Sequence, residues 1–333
     1  MKILLYAEGQ KWISHSGIGR ALQHQACALR SRGISYTMSP DDDYDIAHIN
    51  TIGPKSVSIA KQAHAKGKKV ILHAHSTKED FMHSFRFSNL VSPLFYQRLL
   101  YVYRMGDHLI TPSVYAKGLL RSYGLTQPIH VISNGIDTKQ FYRDVQAGEK
   151  FRQYFGFKKD EQVVIGVGLL FERKGIYDFI EAAKRFPHVR FIWFGNDAGI
   201  LTPHTVKRCV HHAPNNLLFP GYVEQDVLKG ALSGSDAFFF PSHEETEGIV
   251  VLEALASEQQ VILRDIPVYH PWLLHGVHCY KGKDTWEMLR LLEGVLQDRL
   301  PNLGKKAREC AKARDIRVVA RQLEEVYQEL LQK

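Results

Sequence analysis

Between Ser242 and Ala256 the chain reads Ser-His-Glu-Glu-Thr-Glu-Gly-Ile-Val-Val-Leu-Glu-Ala-Leu-Ala. Glu244, Glu245 and Glu247 precede Gly248, and Glu253 lies within the apolar run that follows. Glu245 and Glu253 are eight residues apart. Flanked by Val250, Val251, Leu252, Ala254, Leu255 and Ala256, Glu253 is expected to face inward on a helix beginning near Gly248. A buried carboxylate is costly without a partner. A protein cation or the hydroxyls of a ligand would serve. At Gly248 and Ile249 the helix start offers free N–H groups and a positive dipole end, which suit a phosphate. A phosphate seat beside carboxylates that accept from hydroxyls is what a nucleotide sugar requires.

A second group lies upstream. Gly168-Leu-Leu-Phe-Glu leads into Arg173-Lys174-Gly175 after an apolar run. Fixed cations on such a loop can neutralise a leaving diphosphate without reorganising during the reaction. His75 ends another apolar run, and Pro220-Gly-Tyr-Val223 follows a third. Gly17-Ile-Gly-Arg20 opens a helical pattern but has Leu22 where a dinucleotide fingerprint needs its third glycine. Apart from His243, nothing at ligand spacing completes a divalent-metal site around Glu244, Glu245 and Glu247.

These residues must be held by strand ends. Lys2–Tyr6, Ile46–Ile49, Val70–His73, His108–Thr111 and 130–132 read as buried strands. They alternate with helical patterns over Gly19–Arg32, Pro54–Lys66 and Ser113–Tyr123. The second half repeats the scheme, with strands at Val163–Val167, Phe191–Phe194, Leu217–Phe219, Ala237–Phe240 and Gln260–Leu263. Its helices fall at Ile176–Arg185, Glu224–Leu232 and Ile249–Ser257. The alternation implies an α/β chain of two doubly wound domains facing a cleft, with ligands at the carboxyl ends of the strands. The turn Ser133-Asn-Gly-Ile-Asp137 marks the junction, and a charged helical pattern from about Lys305 to Lys333 ends the chain.

The 333 residues carry a net charge of +8, with 17 histidines uncounted, which favours an anionic partner. No nucleic-acid-binding signature accompanies that charge. The apolar start Met-Lys-Ile-Leu-Leu-Tyr reads as a first core strand and not a signal peptide. Cys27, Cys209, Cys279 and Cys310 are scattered, as expected of free thiols in a reducing cytosol.

On Gly168–Gly175, Pro220–Val223, Ser235–Ser242, Glu245–Glu253, Gly17–Arg20, His73–Ser76 and Ser133–Asp137, the chain resembles retaining GT-B glycosyltransferases of family 4. More narrowly it is similar to bacterial glycolipid enzymes that add a second hexose to monoglucosyl-diacylglycerol, the α-galactosyltransferase branch. His-Ala-His-Ser-Thr-Lys-Glu-Asp-Phe, Ser-Asn-Leu-Val-Ser-Pro-Leu-Phe and Leu-Arg-Asp-Ile-Pro-Val-Tyr carry that closer match. The resemblance implies two Rossmann-like domains. Residues 1–135 would form the acceptor and membrane-side domain, residues 136–309 the donor domain, and about 310–333 would pack back on the first. It implies a UDP-galactose or UDP-glucose donor, galactose favoured, a glycolipid acceptor, and no required cofactor.

By the same resemblance, Lys174 and Arg173 bind the diphosphate, Glu245 the sugar hydroxyls, Glu253 the ribose, and backbone near Tyr222 and Val223 the uracil. Gly168, Gly248 and Ile249 border the donor. The loop after the first strand closes over the diphosphate and borders the acceptor, where Gly17 and Gly19 let the backbone approach closely; Arg20 assists acceptor or phosphate, and His75 meets the donor sugar or the attacking hydroxyl. Two positions depart from the family: Leu169 where relatives carry Arg, and Glu247 where many carry Phe. From Phe81 to Arg104, apolar and aromatic residues including Phe85 and Phe95 mix with Arg86, Arg98 and Arg104, as at an anionic bilayer interface. Pro93 would split this stretch into two helices. The expected location is the cytoplasmic face of the plasma membrane, held peripherally. A diacylglycerol glucosyltransferase, a transferase for soluble or polysaccharide acceptors, and an inactive sugar-nucleotide or lipid-surface binding module are the competing readings.

Overall fold

Continuous apolar runs become strands covered on both faces, because each helical crossover lays a helix over the sheet. The computed structural model describes residues 1–9 and 16–332. The chain divides into two compact units. The first comprises Met1–Phe81, Leu90–Asp137 and Arg314–Lys333; the second comprises Met82–Asn89 and Thr138–Ala313.

In the first unit, strands β1 (Lys2–Tyr6), β2 (Ser35–Thr37), β3 (Ile46–Ile49), β4 (Lys69–His73), β5 (His108–Thr111) and β6 (Ile129–Val131) form one parallel sheet in the order β2-β1-β3-β4-β5-β6. Alternate side chains of β1 serve opposite faces, as strand geometry requires. Ile3 and Leu5 pack with Leu22, Ala26 and Leu29 of the helix Gly17–Ser31 and with Leu323, Val326 and Tyr327 of the helix Ile316–Gln332. Leu4 packs in the other cluster, with Ile59 and Ala63 of the helix Pro54–Ala65 and Leu99 and Val102 of the helix Ser88–Tyr103.

In the second unit, β7 (Val163–Val167), β8 (Arg190–Phe194), β9 (Leu217–Gly221), β10 (Ala237–Phe240), β11 (Val261–Arg264) and β12 (Tyr280–Gly282) form a parallel sheet ordered β12-β11-β10-β7-β8-β9. Its core joins Phe191, Trp193 and Phe239 to Ile176, Phe179 and Ala183 of the helix Ile176–Arg185 and to Met288 and Leu292 of the helix Thr285–Leu296.

Three features differ from the sequence expectation. Pro93 lies inside the single helix Ser88–Tyr103, where its missing N–H removes one bond to the Asn89 carbonyl without ending the helix. The break falls instead at Phe87, whose φ of 67° ends any right-handed path. The C-terminal helical pattern is two helices, Gly304–Lys312 and Ile316–Gln332, parted where the Asp315 carboxylate accepts from the Arg317 N–H. Finally, residues 82–89 group with the second unit. There the Arg86 N–H donates to the Leu201 carbonyl at 2.7 Å, and the Arg173 N–H donates to the His83 carbonyl at 3.0 Å.

Candidate active site

Two loops at carboxyl ends of β7 and β10 build the charged centre of the second unit. After β7, one turn of 3-10 helix, Glu172–Lys174, presents Arg173 and Lys174. After β10, Pro241–Gly248 leads into the helix Ile249–Ala256. Lys174 Nζ lies 2.5 Å from Glu245 Oε1, and the Ser242 hydroxyl donates to the same oxygen at 2.7 Å. Glu245 Oε2 takes no hydrogen bond among the described residues. Burial alone would raise the Glu245 carboxyl, but the Lys174 and Arg173 charges and these hydrogen bonds hold it below its ordinary value. The group is therefore an anion in a buried setting, with one oxygen available to a hydroxyl.

Arg173 is used differently from Lys174. Its Nε donates to the Ser84 hydroxyl at 3.0 Å and its guanidinium to the Glu244 carbonyl at 2.7 Å, while Glu245 Oε1 stands 4.0 Å away. The guanidinium thus ties the 82–89 segment to the glutamate loop, and Lys174 makes the closer approach to the carboxylate. Behind the loop, Asp178 holds Arg264 at 2.9 Å and His243 at 3.0 Å, and Arg264 Nε donates to the Pro241 carbonyl at 3.1 Å.

Gly175 joins the two loops. Its φ is 76°, and a Cβ there would sit 2.3 Å from the Pro241 carbonyl oxygen. Gly175→Ala must therefore strain the backbone and push the loops apart. The expected result is a loss on the order of 2 kcal/mol in urea unfolding, with most turnover lost as well; an unchanged unfolding midpoint would refute this account of the loop junction.

Gly248 has φ 90° and starts the helix that carries Glu253, which is 1% exposed. A Cβ at Gly248 would lie 3.1 Å from the Tyr269 hydroxyl. That hydroxyl is buried without a hydrogen-bond partner among the described residues, and burial followed by the charges of Glu245, Glu244 and Glu247 pushes it well above its ordinary value. Tyr269 is a polar group at this helix start that sequence reasoning missed. It comes from the distant Pro267–Tyr269 turn, with no local pattern to mark it. Glu247 is also buried, at 1% exposure. Gly168 lies beside the Lys174 stem, which a Cβ there would meet at 3.4 Å. Tyr222 is exposed and Val223 half-buried; the Tyr222 N–H donates to Asn196 Oδ1 at 2.8 Å, which fixes this turn.

In the first unit, His75 is 8% exposed just beyond β4. It lines a cavity of about 240 Å³ with Glu8, Ile18, Asn50, Thr51 and Ser76 among its neighbours. Gly17 and Gly19 lie in the first turn of the helix Gly17–Ser31, which Gly17-Ile-Gly-Arg20 opens. A Cβ at Gly17 would meet open space, and the Gly19 N–H donates to the Ser16 hydroxyl at 3.3 Å. Arg20 is half-buried on the same helix. The loop expected to close over a diphosphate contains residues 10–15, which lie outside the described residues.

The basic aromatic segment sorts by helix face. Phe95 is half-buried and stacks on Phe81 at 3.8 Å, and Arg98 donates to the Ile52 carbonyl at 2.9 Å, so both are engaged within the protein. Phe85 is half-buried in the second unit, and the exposed Arg86 lies over the Phe87 ring at 4.7 Å. The exposed large apolar side chains are instead Leu90, Leu94 and Tyr101, which fall on one helix face, Val91 beside Leu90, and Phe87, which directly precedes that helix. The sequence could not divide the two faces because both are apolar. Among the described residues no helix is long and apolar enough to cross a membrane, and the grouping whose side chains could share a cation is His108, His130 and Glu329.

Residues 148–314 match the family model for glycosyl transferases group 1, and residues 37–140 match that for glycosyltransferase family 4. The chain is 43% identical over 332 residues to the processive diacylglycerol alpha-glucosyltransferase of Acholeplasma laidlawii, covering 99% of each. It is 24% identical over 273 residues to the alpha-galactosylglucosyldiacylglycerol synthase of Streptococcus pneumoniae, covering 80% of this chain and 73% of that one. Its structure is similar to that of Anabaena HepE solved with UDP and glucose, with a TM-score of 0.77 at 17% identity over 99% of this chain and 100% of that one. At that identity the likeness establishes the fold.

Proposed function

The chain belongs to the family 4 glycosyltransferases of GT-B fold and is a hexosyltransferase related to glycolipid synthases, and we propose that it moves glucose from UDP-glucose to monoglucosyl-diacylglycerol with retention of configuration. The observation that carries the reading is the pairing of half-buried Lys174 with the buried Glu245 carboxylate, one oxygen of which takes no hydrogen bond among the described residues, beside the N-terminus of the helix Ile249–Ala256. Lys174 and the helix N–H groups neutralise the departing diphosphate, Glu245 Oε2 accepts from a sugar hydroxyl, Glu253 takes the ribose, and backbone at Tyr222 and Val223 meets the base. His75 accepts from a sugar or acceptor hydroxyl. No metal is needed for this division of labour.

The residue pattern favours galactose, and the pneumococcal relative's name supports it; the 43% relative over nearly the whole chain supports glucose, which we adopt. The test supplies UDP-glucose or UDP-galactose, with diacylglycerol or monoglucosyl-diacylglycerol in anionic vesicles containing EDTA, and identifies lipid products by mass spectrometry. A dihexosyl lipid from UDP-glucose supports the proposal. Product from UDP-galactose alone replaces the sugar, and transfer only to soluble acceptors removes the lipid reading.

The acceptor's setting follows from the face bearing Leu90, Leu94 and Tyr101, with Phe87 preceding it and Arg86 and Arg104 exposed at either end. Such a face suits the interfacial layer of an anionic bilayer, at the cytoplasmic side where UDP-sugars are made. Leu94 is 74% exposed. Leu94→Glu should weaken vesicle binding about tenfold, by the transfer energy of one leucine, with Tm unchanged. Unaltered flotation with anionic vesicles would take this face out of the membrane contact.

A further inference from the structure

Under the cavity that His75 lines lies a set of buried polar side chains to which the transfer chemistry assigns no role. Tyr327 Oη is 2.7 Å from His48 Nδ1, and His48 Nε2 is 3.1 Å from His73 Nδ1. Gln25 Nε2 lies 3.0 Å from His73 Nδ1 and 2.8 Å from Asn50 Oδ1, and His75 Nε2 is 2.8 Å from the same Asn50 oxygen. The rings of His48, His73 and His75 stack in nearly parallel planes, 5.3 and 4.0 Å between successive centroids.

Donor and acceptor accounting orders the whole set. Asn50 Nδ2 donates to the Tyr6 carbonyl over a long 3.4 Å, and Gln25 Nε2, 2.8 Å from Oδ1, completes the orientation of the amide that leaves Oδ1 as an acceptor. Both Gln25 Nε2 and His75 Nε2 must therefore donate to it. Gln25 Nε2 also donates to His73 Nδ1, so that nitrogen is unprotonated. His48 Nε2 then carries the proton shared toward it, His48 Nδ1 is the acceptor, and the Tyr327 hydroxyl donates. Burial pushes His48 and His75 down to about 3 and His73 well below its ordinary value, so each ring is neutral and has one defined tautomer. His73 Nε2–H is the donor left without a partner among the described residues. With its proton on Nε2, His75 has its Nδ1 lone pair uncommitted among those residues, on a ring that lines the cavity.

We propose that the chain Tyr327–His48–His73–Gln25–Asn50 is a positioning device that locks His75 as the Nε2–H tautomer and presents its Nδ1 lone pair to a hydroxyl in the cavity. This deepens the hexosyltransfer reading and rests on it for the identity of the hydroxyl, which is a sugar's. The hydrogen-bond order itself is independent of substrate. Gln25 is the informative residue, because it is 2% exposed, does not line the cavity, and reaches His75 only through Asn50.

The experiment is long-range proton–nitrogen NMR on the full-length, histidine-labelled protein, with His75 assigned through His75→Gln, alongside kinetics with UDP-glucose and monoglucosyl-diacylglycerol vesicles. Wild type should show His75 protonated on Nε2. Gln25→Leu and Asn50→Leu should each give mixed tautomers and lower kcat about tenfold or more, with KM for UDP-glucose nearly constant. Asn50→Asp keeps an acceptor oxygen and should restore the Nε2–H form. Wild-type His75 protonated on Nδ1, or a tautomer indifferent to both leucine variants, overturns the proposal. So does a tautomer change with kcat unaltered. If the tautomer follows Gln25 but wild type transfers no hexose to lipid, the relay stands and the assigned reaction fails. Should Asn50→Leu not fold, Gln25→Leu carries the same test.

Discussion

Lys174→Ala is expected to lower kcat by about 10²–10³-fold, the loss seen when a fixed group that stabilises developing charge is removed. The same variant should carry a stability signature that a purely catalytic lysine would lack. Glu245 is 6% exposed and has Lys174 at 2.5 Å, whereas Arg173 is at 4.0 Å. Burial raises this carboxyl; the two cations hold it down. A carboxyl depressed in the folded state stabilises the protein above its unfolded value of about 4.3 and loses that contribution as pH falls through the folded value. Removing Lys174 cancels most of the depression. The stability deficit of Lys174→Ala should therefore be widest near neutral pH and narrow only as pH falls through the depressed wild-type value, below which Glu245 is protonated in both proteins. Urea unfolding at neutral and acid pH measures it. A deficit that does not depend on pH would mean that the ion pair is not what the lysine contributes.

Glu245→Gln separates sugar recognition from charge pairing. The amide has nearly the same shape and can still accept from Ser242, but it has no anionic oxygen for a sugar hydroxyl or for Lys174. Turnover should fall about 10- to 100-fold, the range for losing a hydrogen bond to a charged group. UDP affinity by calorimetry should stay close to wild type, because the nucleotide lacks the hexose. Equal losses in UDP affinity and turnover would assign Glu245 to holding Lys174 instead.

The sheets were legible in the sequence because strands such as Val163–Val167 and Ala237–Phe240 are continuous apolar runs. The edge strands Ser35–Thr37 and Tyr280–Gly282 were not, since three residues with polar members make no run and depend on a neighbour for their definition. Lys174, Glu245 and Gly248 were readable as a charged loop and a helix start, being local in sequence. Ser242 donating to Glu245, Ser84 beneath Arg173, and Tyr269 beside Gly248 are meetings of side chains from separate loops, which no spacing announces. The His48–His73–His75 stack shows the same limit. Period-two spacing places His73 and His75 on related sides of one stretch, but the partners Gln25, Asn50 and Tyr327 come from three other elements.

The helix Ile316–Gln332 supplies Leu323, Val326 and Tyr327 to a core whose other members begin at Ile3. This has a consequence for the order of events during synthesis. The second unit has all its described strands and helices in hand before that helix is made, whereas the first unit must wait for it. Until then the face of its sheet that the helix Gly17–Ser31 covers lacks its second helix, a state in which exposed apolar surface invites association. Vectorial synthesis therefore completes the second unit before the first, and a ribosome stalled late in the message would display a folded second unit joined to an incomplete, adhesive first one.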